Sequence, residues 1–147
     1  MKLPLFCFSV FVSAFIMPTS VMAGILTVQV NNIKDAGEMH LAIYDDADVF
    51  ESDRGDKGGA ADGIIDGVIE NVQSGTVTYR FDLPDGTYAI GIFVDANDNN
   101  KMDKNFLGIP KEQYGFSNNA KARFGPPSFD DASFTLAGDQ MLSIDLR

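Results

Sequence analysis

Apolar and polar residues alternate with period two along most of the chain beyond its first two dozen residues. Leu26, Val28 and Val30 alternate with Thr27, Gln29 and Asn31, which predicts a strand over residues 24–31 with one buried face. After a turn over 32–37, Met39, Leu41 and Ile43 alternate with His40, Ala42 and Tyr44, and the two strands are expected to pair as a hairpin at the edge of the fold. A short strand is expected over 67–72, and another over 76–81 with Val77, Tyr79 and Phe81 facing inward. Residues 87–94 are apolar on both faces, as a central strand must be. Strands at 132–136 and 140–146 end the pattern, joined by the turn at 137–139. About seven short strands, turn signals between them and no convincing amphipathic helix indicate an all-β fold, a single antiparallel β-sandwich.

Two stretches break the alternation. Residues 45–63 are charged and glycine-rich, with Val49 and Phe50 as their large apolar residues, and read as an exposed loop of unassigned role. Residues 95–134 are rich in Asp, Asn, Gly, Pro and Phe, and a loop of that length in a compact domain is either functional or disordered. Its aromatics argue for order. Gly115, Gly125, Pro126 and Pro127 set sharp turns there, Phe116, Phe124 and Phe129 are expected to plug the loop onto the sandwich, and a helical turn is expected near 127–131.

The N-terminus adds a compartment. Met1 and Lys2 precede an apolar run over residues 3–17, followed by small residues ending at Ala23, the layout of a secretory signal peptide cleaved after Ala23. The run is too short to span a bilayer, so no membrane span is expected after cleavage. Residues 1–23 are then the signal peptide and 24–147 the β-sandwich domain, secreted or periplasmic. Cys7, the chain's one cysteine, leaves with the signal, so no disulfide can hold so loop-rich a domain, and a bound ion is the obvious substitute. The formal charge is −10; Lys2 leaves and no acid does, so the remainder carries −11. That excess argues against nucleic acid and against anionic membrane surfaces as partners, and suits a protein that binds cations.

Candidate cation chemistry lies at the start of the second loop. Asp95, Asn97, Asn99 and Asp103 fall at relative positions 1, 3, 5 and 9, with Lys101 at position 7 able to offer its backbone carbonyl. A hard divalent cation takes six to eight oxygens, and a coiled loop points alternate residues inward; this spacing is that of an EF-hand-type calcium loop. Asn100 replaces the usual glycine at position 6, and Phe106 replaces the bidentate glutamate at position 12. Glu112, Asp130 or Asp131 could supply the missing carboxylate. With two carboxylates in the loop itself, calcium is expected to bind with a Kd of about 10⁻⁴–10⁻³ M. The alternative is a solvated Asx-turn that holds itself together.

Other chemistry is largely excluded. One histidine, His40, and no cysteine after cleavage leave no zinc site of the usual ligand types. The glycines at 55, 58 and 59 lack the strand–turn–helix setting of a phosphate loop. A carboxylate pair such as Glu112 and Asp130 could serve a glycan hydrolase, but no catalytic residue stands out, and the composition favours binding over catalysis. Glu112, Tyr114, Ser117, Asn118 and Asn119 form a candidate recognition surface for a glycan or an envelope protein; a self-packed structural loop explains the same residues. A structural part in an envelope assembly is a third reading.

Two resemblances follow from these residues. The turn Leu83-Pro84-Asp85-Gly86-Thr87-Tyr88 is similar to that of transthyretin-like and carboxypeptidase-regulatory-like domains, and places Tyr88 to form the tyrosine corner of sandwich folds, transthyretin-like or immunoglobulin-like. The combined pattern D-x-N-x-N-x-x-x-D, F-x-G-x-P-x-E-x-Y-G-F-S-N-N and F-G-P-P-x-F-x-x-A-x-F, from Asp95 to Phe134, resembles the secreted bacterial family known as domain of unknown function 2141. That resemblance implies a signal peptide, a small all-β domain and no established activity. The glycine-rich residues 53–63 look longer than the usual pattern.

Overall fold

The structure, a computed structural model, describes residues 22–147. The expected signal peptide lies almost wholly outside the described residues. The expected cleavage point falls at the first residue of the first strand.

Eight strands form two sheets. In the first, β1 (Ala23–Ile33) lies between β4 (Gly75–Pro84) and β8 (Gln140–Asp145). In the second, the order is β3 (Asp66–Val72), β2 (Gly37–Tyr44), β5 (Gly86–Asp95) and β6 (Tyr114–Phe116), with β7 (Phe134–Leu136) also paired to β5. All pairings are antiparallel except β1 with β8, which run parallel from Leu26↔Gln140 to Asn31↔Asp145.

The alternation predicted which residues face inward. Leu26, Val28 and Val30 of the first sheet meet Met39, Leu41, Ile43, Ile90 and Ile92 of the second, and all are buried in one core cluster. The expected β1–β2 hairpin is not formed. The connection at residues 34–36 carries the chain from one sheet to the other, and β2 is an interior strand flanked by β3 and β5. Likewise the turn after β7 crosses between sheets, since β7 pairs with β5 and β8 with β1. Alternation sets which face of a strand is buried; it leaves the pairing partner open.

The second sheet is covered on its outer face as well. The segment expected to be an exposed loop instead forms α1 (Ala47–Ser52) over part of its length, capped by the Asp46 carboxylate, which accepts from Val49 N. Its Phe50 is buried against Tyr44, Phe116 and Phe129, with ring centroids 5.3, 6.0 and 5.9 Å away in edge-on arrangements. A second short helix, α2 (Phe129–Ala132), is capped by Ser128 and packs on α1 and β5. These two helices bury Tyr44 and Ala89, outward residues of β2 and β5, in a second apolar cluster. At the far end of the core, Tyr88 donates its hydroxyl proton to Pro84 O at 2.7 Å, forming the expected tyrosine corner.

Candidate functional site

The outer face of the second sheet ends in a polar group. Residues 89, 91, 93 and 95 of β5 share that face, so β5 delivers Asp95 outward at its last position. Glu38 is its register partner on β2, and His40 is paired with Phe93, on which its ring stacks at 4.5 Å. His40 Nε2 lies 3.0 Å from Glu38 Oε1. Ligand atoms of Glu38, His40 and Asp95 all lie within 4.8 Å of one another.

Asp95 is completely buried, and the loop coils around it. Its two carboxylate oxygens accept from Asn97 N and Asn100 N. Asp98 and Asn100 take left-handed φ of 58° and 59°, a conformation that Asn and Asp tolerate, so Asn100 fills the role usually given to glycine. Asn99 Oδ1 accepts from Lys101 N at 2.9 Å. The amides of Asn97 and Asn99 both donate to the Asp103 carboxylate, at 2.7 and 3.1 Å. Asn97 first and Asn99 second hold the Asp103 carboxyl below its ordinary value. The side chains of positions 3, 5 and 9 thus meet, while that of position 1 holds the coil through two backbone N–H groups, and a half-turn of the Asn97 amide would present oxygen where nitrogen now stands.

Glu112 joins this loop, but as a clamp. Its Oε1 accepts from Ala96 N at 3.0 Å and its Oε2 from Asp103 N at 3.1 Å, which ties the two ends of the coil together. Asp130 and Asp131 sit in the first turn of α2, where Asp131 exchanges hydrogen bonds with the Ser128 cap. The 53–59 segment packs on the coil from outside: Met102 N donates to Gly55 O at 2.6 Å and Gly59 N to Asn100 O at 3.3 Å. Gln113 escaped the sequence reading; it fixes the sheet-to-sheet connection by accepting from Lys34 N and donating to Asn32 O.

The other candidate residues serve the fold. Ser117 is fully buried; its Oγ accepts from Ile90 N at 2.9 Å and donates to Ala132 O. Asn118, at φ 59°, donates to Ser133 O at 2.7 Å. Asn119 Oδ1 accepts from Asp145 N at 2.8 Å, joining the loop to β8. The Tyr114 ring lies under the Arg147 guanidinium at 5.0 Å. Phe116 and Phe129 plug the loop onto the sandwich as expected, but Phe124 does not: it is 86% exposed, because the turn at Gly125 aims it away from the core. Nearby, Tyr44 donates to Asp53 at 2.7 Å, and burial first, then the Asp53 carboxylate, pushes the Tyr44 hydroxyl far above its ordinary value.

These features define a small two-sheet β domain carrying a coiled Asx-rich loop at the end of its central strand. Residues 28–144 match the family described as an uncharacterized protein conserved in bacteria (DUF2141), and the chain belongs to that family. No curated protein and no solved structure matches it.

Proposed function

We propose that the domain is a secreted or periplasmic, non-enzymatic binding or accessory module whose 95–103 loop is stapled by calcium. The observation that carries this reading is Asp95. A fully buried carboxylate is costly unless it is paired or coordinates a cation. Asp95 has two backbone N–H donors, a second carboxylate, Glu38, across the ladder, and no lysine or arginine ion pair among the described residues. Asp95, Asn97, Asn99, Asp103 and the Lys101 carbonyl would hold the ion, which would neutralise the two aspartates and cross-link the coil. Export rests on the signal-like pattern of residues 1–23. A binding role is supported by the commitment of Glu112, on which a hydrolase reading depends, to two backbone N–H groups.

Thermal unfolding of residues 22–147 in EDTA and in about 2 mM calcium tests the staple. At a Kd of about 0.1 mM, linkage gives about 1.8 kcal/mol, a midpoint rise of several degrees. The rise should vanish in Asp103→Ala; no rise in the wild type sinks the reading. The convergence of Glu38, His40 and Asp95 favours a second reading, a borderline transition metal such as zinc on one imidazole and two carboxylates. It requires a zinc-dependent shift that His40→Ala abolishes while Asp103→Ala leaves it intact.

A further inference from the structure

Beyond the Asx coil the chain forms a second, tighter turn. Lys104 and Pro110 pair as an antiparallel bridge, and Asn105 N donates to Ile109 O at 2.8 Å. Inside that bridge Asn105 holds the backbone: its Oδ1 accepts from Leu107 N at 2.9 Å and Ile109 N at 3.0 Å, and its carbonyl from Gly108 N at 2.9 Å. The turn is thus ordered by its own hydrogen bonds. Its side chains point outward nonetheless: Phe106 is 95% exposed, Leu107 68% and Ile109 54%. Single exposed apolar residues are ordinary; three large ones within four positions, fixed on one ordered tip, mark a contact surface.

A second loop carries one more exposed aromatic. Phe124 is 86% exposed, with the Arg123 guanidinium 5.8 Å from its ring. The two loops meet at Arg54. Lys104 Nζ donates to Arg54 O at 3.4 Å, and an Arg54 guanidinium nitrogen lies 3.8 Å from where a Cβ on Gly125 would stand. Residues 104–111 contain two lysines and no acid, and residues 121–125 contain Lys121, Arg123 and no acid, in a chain whose net charge is −10. The overall excess of acid argues against anionic surfaces, but it is not spread evenly: Asp103 and Glu112 lie at the base of the turn, with Glu112 bonded to the backbone of the coil, while the tip itself carries only basic charge.

We propose that these two loops form a peripheral docking tip for an anionic phospholipid bilayer. A protruding turn whose Asn105, Leu107, Gly108 and Ile109 N–H groups are already bonded can bring Phe106, Leu107 and Ile109 into the headgroup–acyl boundary with few unpaired donors, and the carbonyls at its tip stay among the hydrated headgroups. The flanking lysines keep their ammonium groups at the phosphates while their methylene stems follow the apolar residues. A tip-to-tip contact with a second copy would oppose like charges. Because Asn105 rather than an ion orders the turn, docking does not depend on the calcium reading.

The test is flotation of residues 22–147, which hold both sheets and their core, with vesicles of phosphatidylcholine alone or mixed with phosphatidylglycerol, all in EDTA. Partition onto the anionic vesicles should exceed that onto neutral ones by about tenfold and weaken as salt is raised. Phe106→Ser combined with Leu107→Ser should lower it by about tenfold, and Lys111→Gln by about fivefold, with unfolding midpoints unchanged because these side chains are exposed and make no hydrogen bond. Equal partition of the wild type onto both vesicle types, or undiminished binding by both variants, overturns the proposal. So does a concentration-dependent dimer that Phe106→Ser dissolves while vesicle binding is absent, which would make the tip a protein interface.

Discussion

Ser117→Ala should destabilise the domain far more than the loss of one surface hydroxyl. The reason lies in how one edge of β5 is paired. Residues Gly86, Thr87 and Tyr88 pair with β7, and Gly91, Ile92 and Phe93 pair with β6. The two short strands leave a gap between them, and the Ile90 N–H falls in it. Ser117 Oγ fills that gap by accepting from Ile90 N, and passes its own proton to Ala132 O at the end of α2. Both bonds are buried. Alanine leaves almost no cavity, but it strands one buried donor and one acceptor, each worth about 1–3 kcal/mol when unsatisfied. The carbonyl is the cheaper of the two to strand, so the sum should be about 2–3 kcal/mol, a large share of a total of about 5–15. Urea unfolding read by circular dichroism should show a lower midpoint with an unchanged slope. Ser74→Ala, at an exposed position before β4 where the hydroxyl makes no hydrogen bond, is the control and should cost under about 0.5 kcal/mol. A Ser117→Ala loss as small as that of the control would refute the claim that this hydroxyl completes the sheet.

Phe50→Ala removes the ring on which Tyr44, Phe116 and Phe129 all pack, and should cost about 3–5 kcal/mol in the same assay; a loss under about 1 kcal/mol would mean that α1 contributes little to the fold. Gly55→Ala places a side chain on a residue at φ 65°, with its Cβ 2.9 Å from the Met102 Cβ, and should loosen the 53–59 segment and the Asx coil while leaving the two sheets intact. Amide exchange should therefore rise at residues 96–103 and not in β2 or β5. Asp103 has a folded pKa below its unfolded value of 3.8, so its contribution to stability is present above 3.8 and is lost as pH falls through the lower folded value. Carboxyl titration by NMR should find the Asp103 pKa moving up towards 3.8 in Asn97→Ala, and more so in the double variant with Asn99→Ala.

Seven of the eight strands among the described residues were legible, most of them because a face against the core shows as a period of two. The strand β6 (Tyr114–Phe116) was hidden in the stretch expected to be a loop, because three residues are too few to show a period. The pairing partners of the strands were not legible. Leu26, Val28 and Val30 say that β1 has a buried face, but nothing in those residues says that its neighbours come from positions 75–84 and 140–145. The helix α1 was hidden because six residues with Val49 and Phe50 as their large apolar groups are too short to show a helical period. The Asx spacing was legible as a tight coil, and in it Asp95 and Asn99 bond backbone N–H groups while Asn97 and Asn99 bond Asp103, the contacts a self-held Asx turn makes. Glu112 was legible as a carboxylate near that set, yet its use on two backbone N–H groups depends on the return path of residues 104–111. The outward Phe124 was misread for a related reason: an aromatic in a loop looks like an anchor until the direction of the neighbouring turn is known.

The two irregular stretches belong to one structure. Residues 53–59 donate from Gly59 N to Asn100 O and accept from Met102 N, so the glycine-rich segment forms the outer wall of the Asx coil. The coil in turn is the base from which the 104–110 tip projects, and Lys104 reaches back to Arg54 in the same wall. Gly55 sits where these parts crowd together: a Cβ added to it would lie 2.9 Å from the Met102 Cβ and 3.5 Å from the Phe93 ring, which itself stacks on His40. The sandwich supplies a strand end at the buried Asp95, and the coil, its outer wall and the tip are built outward from that residue.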